Sequence, residues 1–533
     1  MHSLLHDGLL EHEHIQGEKL WQKNRLSRQN KNPALDFGEE HGVGVIYGLI
    51  NFVVCVPSLV SYAHIVFPFA EFNTRMCFLV KFYFLSSALI QAVFSLRSTI
   101  VFSVGQIQDV GLIFLAAMVK NIVKWSREDG LSNAEIVATS LWMCALSTAI
   151  TGVCLVIIGR LKLSTYVQML PLPVVGGYLG YIGYFCLAAG LSIGSGLELS
   201  GPETLLQLWD PELKVKMALL GGMTLPMLLV HFRVKHFLGM PIMLLALPVA
   251  FFVSINALGI SIEECREKGW LPPFDPSMMK SGVQAFDLYD MSLVQWQYIP
   301  RQTATVLGLV IIVSFGSSLD IAAIQAEMDG QKIDYNKELV TIGMSNLVSG
   351  ACGGATGSYI FSQTIFSAKR GVKSRLNGWM VFVGELSLFL LPVDILSVLP
   401  TCYIGGVMCL FGVDIMNDWL WQSRHLMART EYVLVWLSFT ITMVLTSSQT
   451  FGVIEGMLAG TIIAAFFFAI QYTMAHEAYV LVATRSSVVR PPKENRVLNA
   501  SYHSVMAVSL NSFAFFGASL HMAQGIEEEA DRK

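Results

Sequence analysis

From Gly42 to Thr473 the chain alternates long apolar runs with short polar breaks. The runs occupy residues 42–69, 76–96, 99–123, 135–159, 172–192, 215–233, 237–258, 302–324, 338–352, 357–368, 376–396, 399–414, 432–449 and 451–473. A helix needs about 20 residues to cross a ~30 Å hydrocarbon core, and most of these runs approach that length with few charges. The pattern predicts an all-α polytopic membrane protein of about 14 spans. Several runs, 338–352 and 357–368 among them, are shorter than a full crossing.

Two runs are interrupted. In VFSVGQIQDVGLIFLAAMVK, residues 101–120, Gly105 is followed by Gln106, Gln108 and Asp109 before a helical pattern resumes. In SNLVSGACGGATGSYIFSQTIFSAKRG, residues 345–371, Gly350, Gly353, Gly354 and Gly357 crowd the centre. A helix does not run smoothly through such glycines, so an unwound stretch and a new helical start near Ser358 are expected. One interrupted segment in each half of a membrane chain points to a central binding site between them.

The polar breaks orient the chain. Basic residues gather at Lys23–Arg28, at Arg160 and Lys162, at Arg233 and Lys235, at Lys369–Arg375 and at Arg424–Arg429. Residues 193–213 carry Glu198, Glu203, Asp210 and Glu212 with no Lys or Arg, and residues 261–298 are also acid-rich. Under the positive-inside bias this alternation puts both termini in the cytoplasm. It leaves the choice between a plasma membrane and a vacuolar or other organellar membrane open.

Composition agrees with a lipid environment. The chain is 53% hydrophobic and 14% charged, with mean hydropathy +0.55; soluble domains are about a quarter charged. A net charge of −4 gives no basic surface for nucleic acid. The nine cysteines include no CxxC pair, which argues against a disulfide framework or zinc site and for buried structural thiols. Residues 1–41 read as a cytoplasmic tail without a signal-peptide core, and their HDGLLEHEH run lacks the fixed spacing of a metal site. Beyond the membrane region at 42–475, residues 476–504 read as a linker. Residues 505–533 then open with SVMAVSL, which alternates like a strand, and GASLHMAQGIEEEADRK follows as a helical start.

Within the spans, carboxylates carry the strongest functional signal, because a bare one in hydrocarbon is costly and normally faces a partner or cavity. Asp109 and Asp320 qualify, with Ser317 one turn before Asp320 on the same helical face. Glu385, in VFVGELSLFLL, is a third candidate with nothing polar beside it in sequence. No Ser/His/Asp, metal or phosphate-loop pattern suggests an enzyme, and His64 reads as an interfacial residue.

These residues resemble the sulfate permease (SulP) family of anion transporters, the prestin-related family, over nearly all of residues 42–533. GLINFVVCVPSLVSYAHIVFPF is similar to the family's first helix, with Pro57 and Tyr62 in place, and GRLKLSTYVQMLPLPVVGGYLGY to the stretch leading into the fifth. IDYNKELVTIGMSNLVSGACGG is the most specific match, through Asn336, Glu338, Leu339, Gly343, Asn346, Ser349 and Gly350. The segment from Val505 resembles the opening of a STAS domain and, at this length, an incomplete one.

The resemblance implies an inverted-repeat fold of seven plus seven helices split into core and gate, a homodimer in the bilayer, and alternating access by core moving against gate. It places the solute between the N-termini of the third and tenth helices. Carried onto this chain, the substrate-binding set is Pro57, Ser58, Tyr62, Gly105, Gln106, Gln108, Asp109, Ser358, Ser362 and Gln363. A coupling H⁺ or Na⁺ would use Asp109, Ser317 and Asp320, and no other cofactor is expected.

Here the chain departs from the family pattern. Ser362-Gln363 stands where Ser-Arg is frequent, Gly105-Gln106 and Asp109 replace a neutral Gly-Pro start, and Ser317 occupies the place of a frequent Glu. Two readings stay open: a secondary carrier of sulfate or another small anion, the family default, or an H⁺-coupled carrier of basic amino acids or other cationic solutes. The acidic third helix resembles the fungal-type branch with vacuolar members of the second kind. A non-transporting scaffold or voltage-responsive protein is a third reading, since a fold alone does not settle function.

Overall fold

The computed structural model describes residues 33–163, 172–197, 213–273, 280–328, 333–447, 479–482, 490–500 and 507–510, save 235, 237, 426 and 428, with a few isolated positions elsewhere. Its long helices, in chain order, are α1 (Pro33–Val66), α2 (Met76–Arg97), α3 (Asp109–Glu128), α4 (Asn133–Arg160), α5 (Leu172–Ser195), α6 (Lys214–Arg233) and α7 (Gly239–Ala257). They continue as α8 (Thr303–Ala326), α9 (Tyr335–Ala351), α10 (Phe361–Lys369), α11 (Leu376–Leu390), α12 (Thr401–Met416) and α13 (Arg429–Ser447). Strand β1 (Gly105–Ile107) precedes α3 and β2 (Gly357–Tyr359) precedes α10. The expected span at 451–473, the tail at 1–32 and the helical start after residue 516 lie outside the described residues.

The chain divides into two compact units, one drawn from residues 1–170 and 179–418, the other from 171–178 and 419–533. In the second, a β-carbon on Gly177 would stand 2.5 Å from that of Ser438, so the start of α5 lies hard against α13. The same unit holds an antiparallel pair, β3 (Tyr479–Val482) with β4 (Ala507–Leu510), in register Tyr479↔Leu510. β4 occupies the stretch whose alternation predicts a strand. The site lies in the first unit.

Local signals start its helices where they do. Glu135 accepts from the Ser132 amide at 2.9 Å while the Ser132 hydroxyl accepts from the Glu135 amide, a reciprocal cap at the head of α4. Asp334 accepts from the amides of Asn336 and Lys337 at 3.1 and 3.2 Å and opens α9. Seven helices among the described residues are long and apolar enough to span a membrane, and α11 is a shorter apolar one. The count falls below that of the hydrophobic runs in part because α9, α10 and α12 are part-length helices, α3 begins inside its run, and the run at 451–473 lies outside the described residues.

The topology uses one pattern twice in opposite directions. The α2–β1–α3 sequence returns as α9–β2–α10, and the packing of α2 against α11 returns as the packing of α9 against α4. Between α4 and α9 the backbones nearly touch. A β-carbon on Gly152 would sit 2.5 Å from the Leu347 amide nitrogen, and one on Gly343 would sit 2.6 Å from that of Val156. Small residues are what let membrane helices approach this closely. A separate apolar core joins α6, α7 and α12 through Met223, Met227, Leu247, Phe251, Tyr403 and Val407.

The two strands pair antiparallel, Gly105↔Tyr359, Gln106↔Ser358 and Ile107↔Gly357, so the fold is all-α except for short strand pairs. The third helix begins at Asp109, where the helical pattern resumes after Gly105, while the tenth begins at Phe361, three residues beyond the start expected near Ser358. Residues 105–107 and 357–359 satisfy each other's backbone groups as strands, which removes the drive to coil there.

Gly105 lies against the ring of Phe94, and a β-carbon there would overlap that ring. Phe94 is itself stacked on Tyr359, with centroids 4.4 Å apart. Gly105→Ala is therefore expected to lower the melting temperature of detergent-purified protein, by an overpacking cost of about 1–3 kcal/mol. Gly221→Ala, in α6 with open space around it, should leave it unchanged or raise it.

Candidate solute-binding site

The strand pair is held on both edges. Beyond the paired residues, the Gln108 amide donates to the Thr356 carbonyl and the Ile360 amide to the Val104 carbonyl, each at 2.9 Å. The buried Asn346 side chain clamps Gly357 with two 2.8 Å bonds, Nδ2 to its carbonyl and Oδ1 from its amide. Gln91 accepts from the Gly105 amide at 2.8 Å. The Gly105 amide and both backbone groups of Gly357, which leave the ladder, thus meet side chains, as backbone inside a membrane requires. Helices α3 and α10 start immediately after the strands, and their first amides and positive dipole ends flank one locus.

A polar cluster occupies that locus. Asp320, on α8, accepts at Oδ2 from the Ser358 hydroxyl at 2.8 Å and from Gln108 Nε2 at 3.2 Å. Gly316 makes room for this amide, since a β-carbon there would lie 2.8 Å from Gln108 Nε2. Asp109 accepts from the Val110 amide at 2.8 Å and is within electrostatic range of Tyr62, Cys186 and Asp320. Around Asp320, Gln108 Oε1, Ser317 Oγ and Thr356 Oγ1 are buried with no hydrogen-bond partner. Buried polar atoms are normally paired, so these three are hydrogen-bonding capacity that a bound solute or ion can use.

Helix α1 closes the cluster. Pro57 has no N–H, which frees the Val53 carbonyl from the helical ladder. Just before it, the Cys55 carbonyl accepts from Gln106 Nε2 at 3.0 Å, and the Cys55 thiol donates to Gln363 Oε1 at 3.4 Å. Cys55 therefore ties α1 to both broken segments.

The structure brings together Gln106, Gln108, Asp109, Ser358, Asp320 and Gln363, with Tyr62 in range and Gly105 in the strand. Ser58 is buried and spends its hydroxyl on the Val54 carbonyl of its own helix at 3.2 Å. Ser362 is exposed in the first turn of α10 and bonds to none of the others. His64 donates back to the Val60 carbonyl at 2.9 Å.

Three features went unread in the sequence. The Cys55 junction is one, because a thiol in an apolar run carries no distinctive signal. Thr356 is another. The third is the Glu338 network: its carboxylate accepts from the Thr99 amide at 2.9 Å, and also from the hydroxyls of Thr99 and Tyr359. Glu338 and Asn346 were visible only as resemblance positions, without their roles. Among the described residues, no Lys or Arg takes part in the hydrogen bonds of the Asp320–Gln108–Ser358 cluster.

The sequence profile of the Sulfate permease family matches residues 44–438. The chain belongs to the sulfate permease family. It is 22% identical over 400 residues, 74% of its length, to the vacuolar basic amino acid transporter VSB1 of Saccharomyces cerevisiae, of which it covers 38%. It is 25% identical over 283 residues, 51% of its length, to the bicarbonate transporter BicA of Picosynechococcus, of which it covers 47%. The chain thus spans less than half the length of these two curated relatives. The transmembrane domain of a cyanobacterial BicA has the same fold, at TM-score 0.56 and 18% identity, covering 78% of this chain and 96% of that one. So does murine Slc26a9, described as an anion transporter in the inward-facing state, at TM-score 0.61 and 15% identity, covering 85% of this chain and 72% of that one. In this sulfate permease family member, the seven-plus-seven inverted transporter fold is accordingly the architecture, and the protein is an integral, multi-pass membrane protein.

Replacing Asn346 by Leu keeps its branched outline and deletes both bonds to Gly357, leaving a buried amide and carbonyl unpaired. A destabilisation of about 2–4 kcal/mol is expected from two unsatisfied groups. Thermal unfolding in detergent would register it as a clear drop in melting temperature.

Proposed function

We propose that this protein is a secondary carrier of cationic solutes, basic amino acids foremost, coupled to H⁺ or Na⁺ and working by movement of a core against a gate. The observation that carries the reading is the charge of the cluster. Two carboxylates, Asp109 and Asp320, stand with amides and a serine, and Gln363 takes the position where an arginine is frequent among relatives. A unit charge at about 4–6 Å contributes about 3–4 kcal/mol at an effective dielectric near 20, before screening. That suffices to reverse the sign of the preferred solute. In this reading the ammonium or guanidinium of the solute pairs with Asp109. The amides and Ser358 bond its polar groups, and Asp320 with Ser317 serves the coupling ion. The similarity to a vacuolar basic amino acid transporter supports the same reading and an organellar membrane. Both termini are cytoplasmic on the charge pattern of the loops, and two copies form a homodimer in the bilayer.

One observation favours the family default instead, a carrier of sulfate, bicarbonate or another small anion. The N-termini of α3 and α10 both face the locus, and helix N-termini attract anions. The protein's being a carrier and not an enzyme is common to both readings.

Proteoliposome uptake separates them. With arginine, lysine, sulfate and bicarbonate as solutes, with and without a pH gradient, saturable arginine uptake is expected. Asp109→Asn should weaken it about a hundredfold or more, as the loss of one charge contact of that size implies. Saturable sulfate uptake that survives the substitution would overturn the cation reading.

A further inference from the structure

Four acidic side chains on the helices around the strand pair differ in what holds them. Asp320 accepts from Ser358 and Gln108. Asp109 accepts from the Val110 amide at the positive end of α3. Glu338 accepts from the Thr99 amide and from two hydroxyls. Each of those bonds favours the ionised form. Glu385 is built otherwise. It is fully buried in the interior of α11, away from either helix end. It receives one hydrogen bond, from the Ser87 hydroxyl to Oε1 at 2.9 Å, and its Oε2 has no partner.

Among the described residues, no cation pairs with it. From α2, Ser87 faces it, while Lys81 lies six residues away, about 9 Å of helical rise, and donates to the Leu391 carbonyl at 2.8 Å. From α1 the titratable neighbour is the thiol of Cys55. The 3-10 turn Gly282–Leu288, which also packs on α11, carries Asp287 exposed on its outer face. A carboxylate so placed is far cheaper with its proton on.

We infer that Glu385 is a proton-binding site of the transport cycle, a second titrating carboxylate behind the solute cluster. The inference rests on the carrier reading above and extends it to a residue outside the solute-contacting set. Cys55 is the link. It packs against Val381, one helical turn before Glu385 on α11, its thiol bonds Gln363, and its carbonyl holds Gln106. A solute that draws Gln106 or Gln363 to itself releases Cys55 and changes the surroundings of Glu385. The step is a plain proton exchange: one O–H bond forms from hydronium on one side of the membrane and breaks to water on the other.

The test uses purified protein in proteoliposomes, with arginine and with whichever solute of the panel gives saturable flux. Three quantities are read: solute counterflow without a gradient, accumulation driven by a pH gradient, and the infrared carbonyl band of protonated carboxyl groups without solute. In Glu385→Gln, counterflow is expected to persist, gradient-driven accumulation to be lost, and a protonated-carboxyl band seen in the wild type at neutral pH to disappear. Ser87→Ala removes a donor to the ionised form, so its pH profile should move to the alkaline side. Gradient-driven accumulation kept by Glu385→Gln, or an unchanged infrared band, overturns the proposal. If Glu385→Gln does not fold, an unshifted Ser87→Ala profile overturns it. The infrared band needs no solute, and the solute panel includes anions, so absence of arginine uptake sinks the cation reading without deciding the role of Glu385.

Discussion

Everything at the centre of this molecule follows from the pairing of two three-residue strands in a place where water is scarce. Breaking a helix inside a bilayer exposes amides and carbonyls that lipid cannot satisfy. Here each break supplies partners for the other, and Asn346 and Gln91 meet the Gly357 amide and carbonyl and the Gly105 amide. Because the strands are so short, α3 and α10 restart almost at once. Their free amides are therefore brought to the strand pair without a designed pocket wall. The geometry of the site is a by-product of solving the backbone problem.

That solution has an electrostatic consequence. Each helix end contributes about half a positive charge, so two ends together offset roughly one carboxylate. The cluster contains two, Asp109 and Asp320, and the amide of Gln363 adds no charge. With both ionised, the balance is negative by about one unit. The same frame with a cation at position 363 and a neutral residue at 109 would be left positive instead. On the proposed reading, the sign of the preferred solute is set by a few side chains hung on this backbone.

The sequence made the membrane architecture legible because hydrophobic run length and loop charge act over 20 or so residues and survive local irregularities. The breaks were legible too, through Gly105 and the glycines at 350–357. What the residues could not disclose was strand formation. GQI and GSY are too short for any periodicity, and their pairing joins residues far apart in the chain, from Gly105↔Tyr359 to Ile107↔Gly357. Hence the tenth helix was expected to start near Ser358, three residues before its actual start at Phe361. Glu385 is the instructive case at the site level: nothing polar flanks it in sequence, yet Ser87, 298 residues away, donates to it. Burial of an acid can be read from its neighbours along the chain; its partner across the fold cannot.

The close packing of α4 against α9, with glycine at the contacts, has a mechanical meaning. Backbones this near leave no side-chain layer to deform, so the strand pair and the helices that carry it form one stiff body. In the proposed cycle, access to the cluster comes from displacement of that body relative to other helices, of which α6, α7 and α12 share a separate apolar core. Helix α1 is joined to both sides, through Cys55 to both strand-bearing segments and through the Ser61 hydroxyl to the Ile404 carbonyl of α12 at 3.2 Å. The junction at Cys55 is therefore where a change in the site is felt by the surrounding helices, and where a change in a neighbouring buried acid is felt by the site.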